Sequence, residues 1–381
     1  GSQSVWPYYY AGTMGLVMRD GINRLTHVKG YSGLYDTFCV ALAWPGYIAG
    51  TGALRGADPR EMAKSDCVVI WGTNAVATQV NVMTHAIKAR KERGAKIVVI
   101  DVYRNATMEQ ADLALCLRPG TDGALACAVM HVLLKEGWVD RDYLAQHTDF
   151  SPEVEAHLAT RTPAWAADIT GLSVDEILRF ARLYGQTKKS YLRAGYGFTR
   201  QRNGAAAMHA VTCLPAMTGA WQTLGGGALY SNGGLYALNT QFLFGLDTTP
   251  RLARQLDMGR IGAVLARNPE DLQGGPPVTA MLIQSTNPAV VAPDSLAVRQ
   301  GLLREDVFVC VHEQFMTDTA KLADLVLPAT TFLEHNDLYQ ASGHTFLQAS
   351  KALIAPIGEA RSNHVFIGQL AQRLGLSHRS E

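Results

Sequence analysis

The sequence contains two short copies of one pattern, and this internal repeat limits the folds that the chain can adopt. Residues 71–74 read WGTN and residues 284–287 read QSTN, while ADLAL at 111–115 returns as ADLVL at 323–327. The asparagine-to-aspartate spacing is 112 − 74 = 38 residues in the first copy and 324 − 287 = 37 in the second. Two related copies of one nucleotide-binding unit are the simplest explanation.

Each copy has the pattern of buried parallel strands separated by helices. Short apolar runs predict strands at 67–71, 96–100 and 111–117 in the first copy, and at 279–283, 306–311 and 323–328 in the second. The sequence therefore predicts an α/β protein with two related Rossmann-like open-sheet domains.

Helices are predicted where apolar residues recur at helical spacing or capping residues stand. The predicted segments are 79–93, which ends at Gly94, 121–137 and 203–219, with a further helix that starts at Ser173 and Glu176. Residues 1–35 are rich in aromatic residues and glycine, and they predict irregular or mixed structure.

Composition excludes several classes of protein. Lys and Arg number 34 against 33 Asp and Glu, a balance that argues against a nucleic-acid-binding protein. The sequence contains no run of about 18 apolar residues, so it does not predict a membrane span. The cysteines are scattered without a C-x-x-C pair, which argues against a zinc ribbon, an iron–sulfur cluster or a disulfide scaffold in this chain, and favours the cytoplasm over the periplasm.

Polar residues stand where the predicted strands end, which is where open α/β sheets bind ligands. Each T-N turn leads toward a helix, whose N-terminus suits phosphate. Asp101 and His312 end the next strands, where a ribose or base is read, and Arg104 and Arg118 could meet phosphate. Asp122 could accept hydrogen bonds from the donor face of guanine. Neither G-x-G-x-x-G nor a P-loop motif is present.

Taken together, the motifs resemble a known family. VVIWGTNAVAT, IVVIDVYR, LRPGTDGALACAVMHVL, MTGAWQTLGGG and HEQFMTDTAKLADLVLPATTFLEHND resemble the molybdopterin-guanine-dinucleotide oxidoreductases of the dimethyl sulfoxide reductase family. The resemblance implies a bis-molybdopterin guanine dinucleotide with molybdenum or tungsten, held in a cleft between two α/β domains. It places the first domain at 36–231 and the second, discontinuous domain at 1–35 and 232–381.

The resemblance also implies which residues hold the cofactor. In the first copy these are Gly72, Thr73, Asn74, Asp101, Arg104, Pro119, Gly120 and Asp122. In the second copy they are Asn287, His312, Glu313, Thr317 and, less firmly, Asp324. The family's N-terminal iron–sulfur motif and C-terminal domain have no counterpart in this sequence. We therefore expect a central piece of a longer enzyme, with any iron–sulfur cluster in the missing N-terminal part.

Family members usually bind the metal through one protein side chain, and Cys39 is the candidate here. It precedes Gly46 by seven residues, a spacing that resembles C-x₆-G-Y in assimilatory nitrate reductases, and a thiolate suits such a metal. Asp36 and Thr37 are rivals, and a buried structural thiol is the alternative.

The same resemblance disfavours formate as the substrate. Val40 stands where formate dehydrogenases have a histidine, and GALYSNGGLY lacks their arginine. Arg200 is the candidate catalytic residue, which would orient an oxyanion or the pterin, unless Arg200 and Arg202 lie on a solvated loop. The other polar residues of this region are Tyr230, Asn232 and His209, the last predicted to be a packing residue.

Three functions remain open at this stage. The first is two-electron redox or oxygen-atom transfer on a small-molecule substrate, with a possible electron-transfer subunit as partner. The second is a pterin-free scaffold subunit of a respiratory complex with this fold. The third is a nucleotide-binding regulator without a metal.

Overall fold

The chain folds into two compact units, each built from separate stretches of sequence. The computed structural model describes residues 1–246 and 254–376. Unit 1 comprises Gly1–Phe38, Ala237–Gln340 and Phe346–Glu381, and unit 2 comprises Cys39–Tyr236 and Ala341–Thr345. The assignment of 36–231, and of 1–35 with 232–381, as two dinucleotide-binding domains stays a prediction.

Strands of both units are short and mostly parallel. In chain order they are β1 (Val5–Tyr9), β2 (Gly33–Tyr35), β3 (Cys67–Trp71), β4 (Lys96–Asp101), β5 (Leu113–Cys116), β6 (Ser190–Ala194), β7 (Gly227–Leu229), β8 (Gln255–Asp257), β9 (Ala280–Gln284), β10 (Phe308–Glu313), β11 (Leu325–Pro328), β12 (Asp337–Gln340) and β13 (Leu347–Ser350).

The α-helices are α1 (Leu16–Asp20), α2 (Asn23–Lys29), α3 (Trp44–Thr51), α4 (Ala75–Thr78), α5 (Val80–Arg93), α6 (Asp122–Lys135), α7 (Arg141–His147), α8 (Pro152–Ala159), α9 (Pro163–Thr170), α10 (Val174–Gln186), α11 (Gly204–Thr212), α12 (Leu214–Met217), α13 (Ile261–Leu265), α14 (Pro288–Val291), α15 (Ser295–Leu302) and α16 (Asn363–Arg373). Short 3₁₀-helices lie at Ser2–Ser4, Pro59–Lys64, Met108–Gln110, Tyr196–Arg200, Ala220–Gln222, Met258–Arg260 and Ala320–Leu322.

Unit 2 is built around a five-stranded parallel sheet with the order β5-β4-β3-β6-β7. β3 lies in its middle, and all five of its residues are buried because the sheet is covered on both faces. Val69 and Trp71 pack into the core that contains α6 and α10, while Val68 and Ile70 pack into the core that contains α5. The α/β fold class predicted from the sequence is confirmed.

Unit 1 contains a four-stranded parallel sheet with the order β1-β9-β10-β11. β1 pairs with β9 in parallel, and Trp6 and Tyr8 of β1 are fully buried. Residues 1–35 thus contain two strands and two helices, so of the two expectations, irregular or mixed structure, the mixed one is confirmed. Smaller pairs are formed by β2 with β8 and by β12 with β13.

The two sheets share a three-strand core, as the repeat predicts. β3, β4 and β5 lie side by side in the order in which β9, β10 and β11 do, with β6 and β1 in the matching fourth positions. Trp71 is paired with Ile100, and its counterpart Gln284 is paired with His312. Glu313, and not His312, is therefore the equivalent of Asp101, which corrects the pairing inferred by counting residues.

Local helix signals are mostly confirmed. Ser173 and Glu176 form the predicted capping box of α10, and α5 ends at Gly94 with φ of +70°. The predicted helix at 203–219 is divided into α11 and α12 around Cys213, because Pro215 lacks an N–H and its ring disfavours a continuous helix. None of the described helices combines the length and apolar character needed to cross a bilayer.

Candidate functional site

In the first copy, the turn after β3 is fixed by a hydrogen bond between Asn74 and Thr107. The Thr107 hydroxyl donates to Asn74 Oδ1 at 2.8 Å and accepts from the backbone N–H of Val76 at 3.1 Å. Thr107 is fully buried, whereas Asn74 is half-buried. Because the amide oxygen is used inside the protein, the Nδ2 group of Asn74 is left to donate to a ligand.

The second copy has the same arrangement at Asn287. The Thr319 hydroxyl donates to Asn287 Oδ1 at 2.6 Å and accepts from the N–H of Ala289 at 3.0 Å. The backbone N–H of Thr319 also donates to Asn287 Oδ1, at 3.1 Å. The predicted similarity of the two T-N turns thus extends to individual hydrogen bonds, and each turn presents an amide donor suited to a phosphate oxygen.

The two T-N turns also share a left-handed backbone conformation two residues before the asparagine. Gly72 has φ of +72°, and Ser285 at the equivalent position has φ of +57°. A side chain at Gly72 would also approach the ring of Phe198 at 3.2 Å. The residue that follows Gly72, Thr73, is buried. Both turns therefore keep a left-handed residue before the asparagine, although only the first uses glycine to avoid its steric cost.

Asp101 and Glu313 end the neighbouring strands β4 and β10. Asp101 Oδ1 accepts from the N–H of Val102 at 2.8 Å, and Glu313 Oε1 accepts from the N–H of Gln314 at 2.7 Å. Asn105 donates to the second oxygen of Asp101 at 2.9 Å. Burial raises the pKa of the Asp101 carboxyl above its ordinary value, against the effect of these hydrogen bonds, which lower it.

His312 occupies a different environment from the one predicted. Its side chain is buried, Nδ1 lies 2.9 Å from Gln284 Nε2, and Nε2 lies 3.1 Å from the carbonyl oxygen of Arg361. The ring of Phe366 packs against it at 4.7 Å between centroids. Burial lowers the pKa of His312 to about 4, so the imidazole is neutral at pH 7. Both ring nitrogens are thus used within unit 1, and a cofactor contact by His312 stays a prediction.

Thr317 and Asp324 follow β10 in the second copy but lie in different places. The half-buried Thr317 accepts from the N–H of Ala320 at 3.2 Å and stands in the loop after Glu313. Asp324 Oδ2 accepts from the N–H of Val309 at 2.7 Å. Val309 is near the start of β10, at the opposite end from Glu313, so Asp324 lies away from the other second-copy residues and its cofactor contact stays a prediction.

The remaining first-copy residues lie in the loops that follow β4 and β5. Arg104 and Pro119 are exposed, and Gly120 has φ of +81°. Arg118 is exposed and donates to the carbonyl oxygen of Asp168 at 2.9 Å, which leaves other N–H groups of its guanidinium for a ligand. Since β3, β4 and β5 are neighbours, the structure brings these loops to one edge of the sheet, where the Asn74 turn also lies.

Asp122 is more deeply engaged than the sequence indicates. Its buried carboxylate accepts from Trp71 Nε1 at 2.8 Å and from Gln201 Nε2 at 2.8 Å. Each carboxylate oxygen thus already has one partner in unit 2. Its predicted contact with guanine stays a prediction, and the observed contacts give it a structural part as well.

Cys39 is an exposed thiol in a left-handed backbone conformation, with φ of +56°. Arg200 Nη1 donates to the carbonyl oxygen of Cys39 at 3.1 Å, so unit 2 brings the two predicted catalytic residues together. Of the rivals for the metal, Thr37 donates to Asp257 Oδ1 at 2.5 Å. Asp36 is exposed, although partial burial raises the pKa of its carboxyl.

Arg193, which is buried near the end of β6, is a further polar residue of this region that the sequence did not indicate. Its Nη1 donates to the carbonyl oxygens of Ala194, Leu229 and Tyr230, the last two at 3.1 Å, while its Nε has no hydrogen-bond partner among residues 1–246 and 254–376. Tyr230 is buried and its hydroxyl lies 3.5 Å from the carbonyl oxygen of Val40, the residue after Cys39. The signal was a single arginine within the apolar run SYLRAG. This arginine therefore fixes the backbone at Tyr230.

Other polar residues of the region differ in exposure. Arg202 and His209 are exposed, so the packing role predicted for His209 is wrong. Asn232 is fully buried; its Oδ1 accepts from the N–H of Gly56 at 3.0 Å, and its Nδ2 has no hydrogen-bond partner in the part of the chain that the structure describes. Arg193 and Asn232 thus each keep a buried donor without an acceptor in the described part of unit 2.

Comparisons with known proteins identify the family of the chain. The family model for molybdopterin oxidoreductases matches residues 38–373. A probable oxidoreductase of Bacillus subtilis, YoaE, is 40% identical over 379 residues, 99% of this chain and 55% of the relative. The formate dehydrogenase subunit alpha of Methanocaldococcus jannaschii is 28% identical over 341 residues, 86% of this chain and 50% of the relative.

A solved structure shows the same fold. Acetylene hydratase from Pelobacter acetylenicus matches with a TM-score of 0.77 at 22% identity, over 99% of this chain and 56% of that chain. The chain spans about half the length of the curated relatives it matches. The chain belongs to the molybdopterin oxidoreductase family, which includes the dimethyl sulfoxide reductases that its motifs resemble.

Proposed function

We propose that this chain binds a bis-molybdopterin guanine dinucleotide and, within a longer protein, serves two-electron redox or oxygen-atom transfer on a small-molecule substrate. The observation that carries the proposal is the pair of matching turns, in which Thr107 fixes Asn74 and Thr319 fixes Asn287. A cofactor with two similar dinucleotide arms would use two such turns, one for each arm.

The residues present suit such a cofactor. The asparagine Nδ2 groups and the exposed guanidinium groups of Arg104 and Arg118 are donors for pyrophosphate oxygens. Gly72, Thr73, Pro119 and Gly120 would line the first dinucleotide, with Asp101 at its ribose, and Asn287, Glu313 and Thr317 would hold the second. When bound, the cofactor supplies a molybdenum or tungsten centre that exchanges electrons with the substrate.

Cys39 is the proposed protein ligand of the metal. Its thiol is exposed, and a soft thiolate suits molybdenum or tungsten better than the hydroxyl of Thr37, which already donates to Asp257. Arg200 donates a hydrogen bond to the carbonyl oxygen of Cys39. It is the proposed catalytic residue, and its remaining N–H groups would orient an oxyanion of the substrate.

A partner and a compartment follow as further proposals. Two-electron chemistry requires an electron donor or acceptor, so we expect an electron-transfer subunit or domain, and one relative is named as an alpha subunit. All six cysteines are free thiols, which supports a reducing compartment such as the cytoplasm.

The test is metal content after expression with a complete cofactor pathway. Molybdenum and tungsten per chain are measured by plasma mass spectrometry, and GMP is measured after acid hydrolysis, in wild type, Cys39→Ser and the control Cys116→Ser. Cys116 is also exposed, so its replacement controls for the loss of an accessible thiol. We expect about one metal and two GMP per wild-type chain, and one fewer metal–sulfur contact in Cys39→Ser by X-ray absorption.

Two results would change the proposal. Identical metal spectra in both variants would remove Cys39 as ligand and return the choice to Asp36 or Thr37. Wild-type chain without metal, pterin or GMP would contradict cofactor binding and favour the pterin-free scaffold.

A further inference from the structure

Each copy of the repeat places an exposed aromatic ring two residues after the acidic residue that ends its second strand. Tyr103 follows Asp101, and Phe315 follows Glu313. Their side chains are 54% and 71% exposed. The equivalence of Asp101 and Glu313 rests on the register of the two sheets, so these aromatic residues stand at equivalent positions.

The direction in which each loop leaves its strand is also shared. The carboxylate of Asp101 accepts from the next N–H at 2.8 Å, and that of Glu313 accepts from the next N–H at 2.7 Å. The same hydrogen bond in both copies holds the first residue of each loop in the same relation to the acidic side chain. The aromatic residue comes one position later in both.

Among the described residues, neither ring belongs to a hydrophobic core of its unit. Within the described ranges 1–246 and 254–376, neither Tyr103 nor Phe315 contacts another aromatic ring or forms a side-chain hydrogen bond. Both adjoin further exposed apolar side chains, Val102 at 40% and Met316 at 60%. Apolar surface that recurs at one point of both copies, beside polar loops, is typical of a binding site.

The chemistry of the neighbouring acid indicates the ligand. In dinucleotide-binding α/β folds, an acidic residue at the end of the second strand hydrogen-bonds the ribose. The base is attached to that ribose, so it lies next to the residues that follow the acid. A planar side chain exposed at that point offers one face to a purine or pyrimidine ring.

We propose that Tyr103 and Phe315 are stacking surfaces for the two nucleobases of the bound dinucleotides, one in each unit. This inference rests on the proposed function, because it requires nucleotides at both strand ends. Stacking accepts any base, so it supplies affinity and leaves the choice of guanine to hydrogen-bonding groups.

The test compares a ligand that has a base with one that lacks it. GMP and ribose 5-phosphate are titrated into the whole chain by calorimetry, for wild type, Tyr103→Ala, Phe315→Ala and the double variant. We expect the double variant to lose about 5- to 150-fold in GMP affinity, as base stacking on an aromatic side chain usually contributes, while ribose 5-phosphate binds as in wild type. Each single variant weakens one of the two GMP sites.

A matched control lies on the same strand as Phe315. Phe308 is the first residue of β10, at the opposite end from Glu313, and is 52% exposed. Phe308→Ala should leave the affinity for both ligands unchanged, and Tyr103→Phe should bind GMP as wild type does.

The outcomes separate the two proposals. If wild type binds GMP and the double variant binds it equally well, the stacking role is wrong while nucleotide binding stands. If the double variant loses GMP and ribose 5-phosphate to the same extent, the rings shape the loops and the stacking role is again wrong. Wild type that binds neither ligand would overturn the proposed function together with this inference.

Discussion

At the carboxyl end of β3, Trp71 Nε1 donates a hydrogen bond of 2.8 Å to Oδ1 of Asp122, the first residue of α6. The other carboxylate oxygen accepts from Gln201, in the segment that follows the 3₁₀ turn Tyr196–Arg200. One buried carboxylate thus joins a strand end, a helix start and the segment that follows Arg200. Any change at Asp122 is therefore a change in the stability of unit 2.

We predict that Asp122→Ala lowers the free energy of unfolding by about 2–4 kcal/mol, because the buried Trp71 donor left without an acceptor costs about 1–3 kcal/mol and the half-buried Gln201 donor costs about 1 kcal/mol. Asp122→Asn keeps one acceptor oxygen and should lose about half as much. Urea unfolding followed by circular dichroism measures both. Glu109→Ala is the control, since this side chain is exposed, and an Asp122→Ala value equal to the control would contradict the prediction.

Thr107 and Thr319 hold the asparagines of the two T-N turns, so replacing either should reduce stability and GMP binding in its own copy. Thr107→Val and Thr319→Val each remove the hydroxyl bound to the asparagine and leave a backbone N–H, of Val76 or Ala289, without its acceptor. We expect each to cost about 1–3 kcal/mol of stability in urea unfolding and to weaken GMP binding in its own copy. Thr→Ser at either position should restore both properties. Valine variants that bind GMP as wild type does would show that asparagine orientation is not needed.

Gly72 and Ser285 allow a reciprocal exchange. A side chain at φ of +72° costs about 1–2 kcal/mol and would also press on Phe198, so Gly72→Ser should be destabilising by at least that amount. Ser285→Gly relieves the same backbone cost, at the loss of a 3.3 Å hydrogen bond from Asn363, and should be neutral or stabilising by up to about 1 kcal/mol. Thermal unfolding of the two variants gives opposite signs if the turns are equivalent, and equal signs if they are not.

His312 predicts a pH-dependent loss of stability. Burial lowers its pKa from 6.5 to about 4, so the unfolded chain takes up this proton at higher pH than the folded chain does. Keeping the imidazole neutral in the folded state therefore costs no stability above pH 6.5. As the pH falls from 6.5 toward 4, the free energy of unfolding decreases by a total of about 3 kcal/mol. Urea unfolding at several pH values should show a shallower decline in His312→Gln than in wild type. Parallel curves for the two proteins would mean that the imidazole titrates normally.

Thiol alkylation should separate the cysteines by exposure. Cys39 and Cys116 are exposed, whereas Cys67 is buried and burial raises its pKa to about 12, which keeps the unreactive thiol form. Iodoacetamide at pH 8 followed by peptide mass spectrometry should therefore modify the first two and spare the third. In the cofactor-loaded chain we expect Cys39 alone to become protected. Continued modification of Cys39 there would argue against its role as the metal ligand.

The sheet cores could be predicted because their signals are local. CVVIW at 67–71 is apolar at every position, and the structure forms β3 over the same residues. β1 could not be predicted in this way. It contains Pro7, and its partner β9 lies about 270 residues further along the chain, so only the tertiary fold shows why Trp6 and Tyr8 are buried.

The candidate site shows where counting residues along a sequence fails. His312 was matched to Asp101 by spacing, but loops of unequal length separate the strands, and hydrogen-bonded register makes Glu313 the equivalent. Arg193 was missed because a charge inside an apolar strand has no sequence pattern that identifies its carbonyl partners. The threonines that fix Asn74 and Asn287 were also missed, although each stands five residues before the aspartate of its ADL motif.

The pairing of β1 with β9 sets an order of events during synthesis of the chain. Val5 is paired with Ala280, so 280 − 5 = 275 residues must be made before the two strands can meet. At 5–20 residues per second the ribosome needs roughly 14–55 s for that length. Throughout this interval the apolar side chains of β1 have no sheet to join. The five strands of the other sheet, all encoded between Cys67 and Leu229, emerge meanwhile. The β1 segment is therefore in need of a chaperone until β9 has been made, and truncations that stop before β9 should aggregate through it.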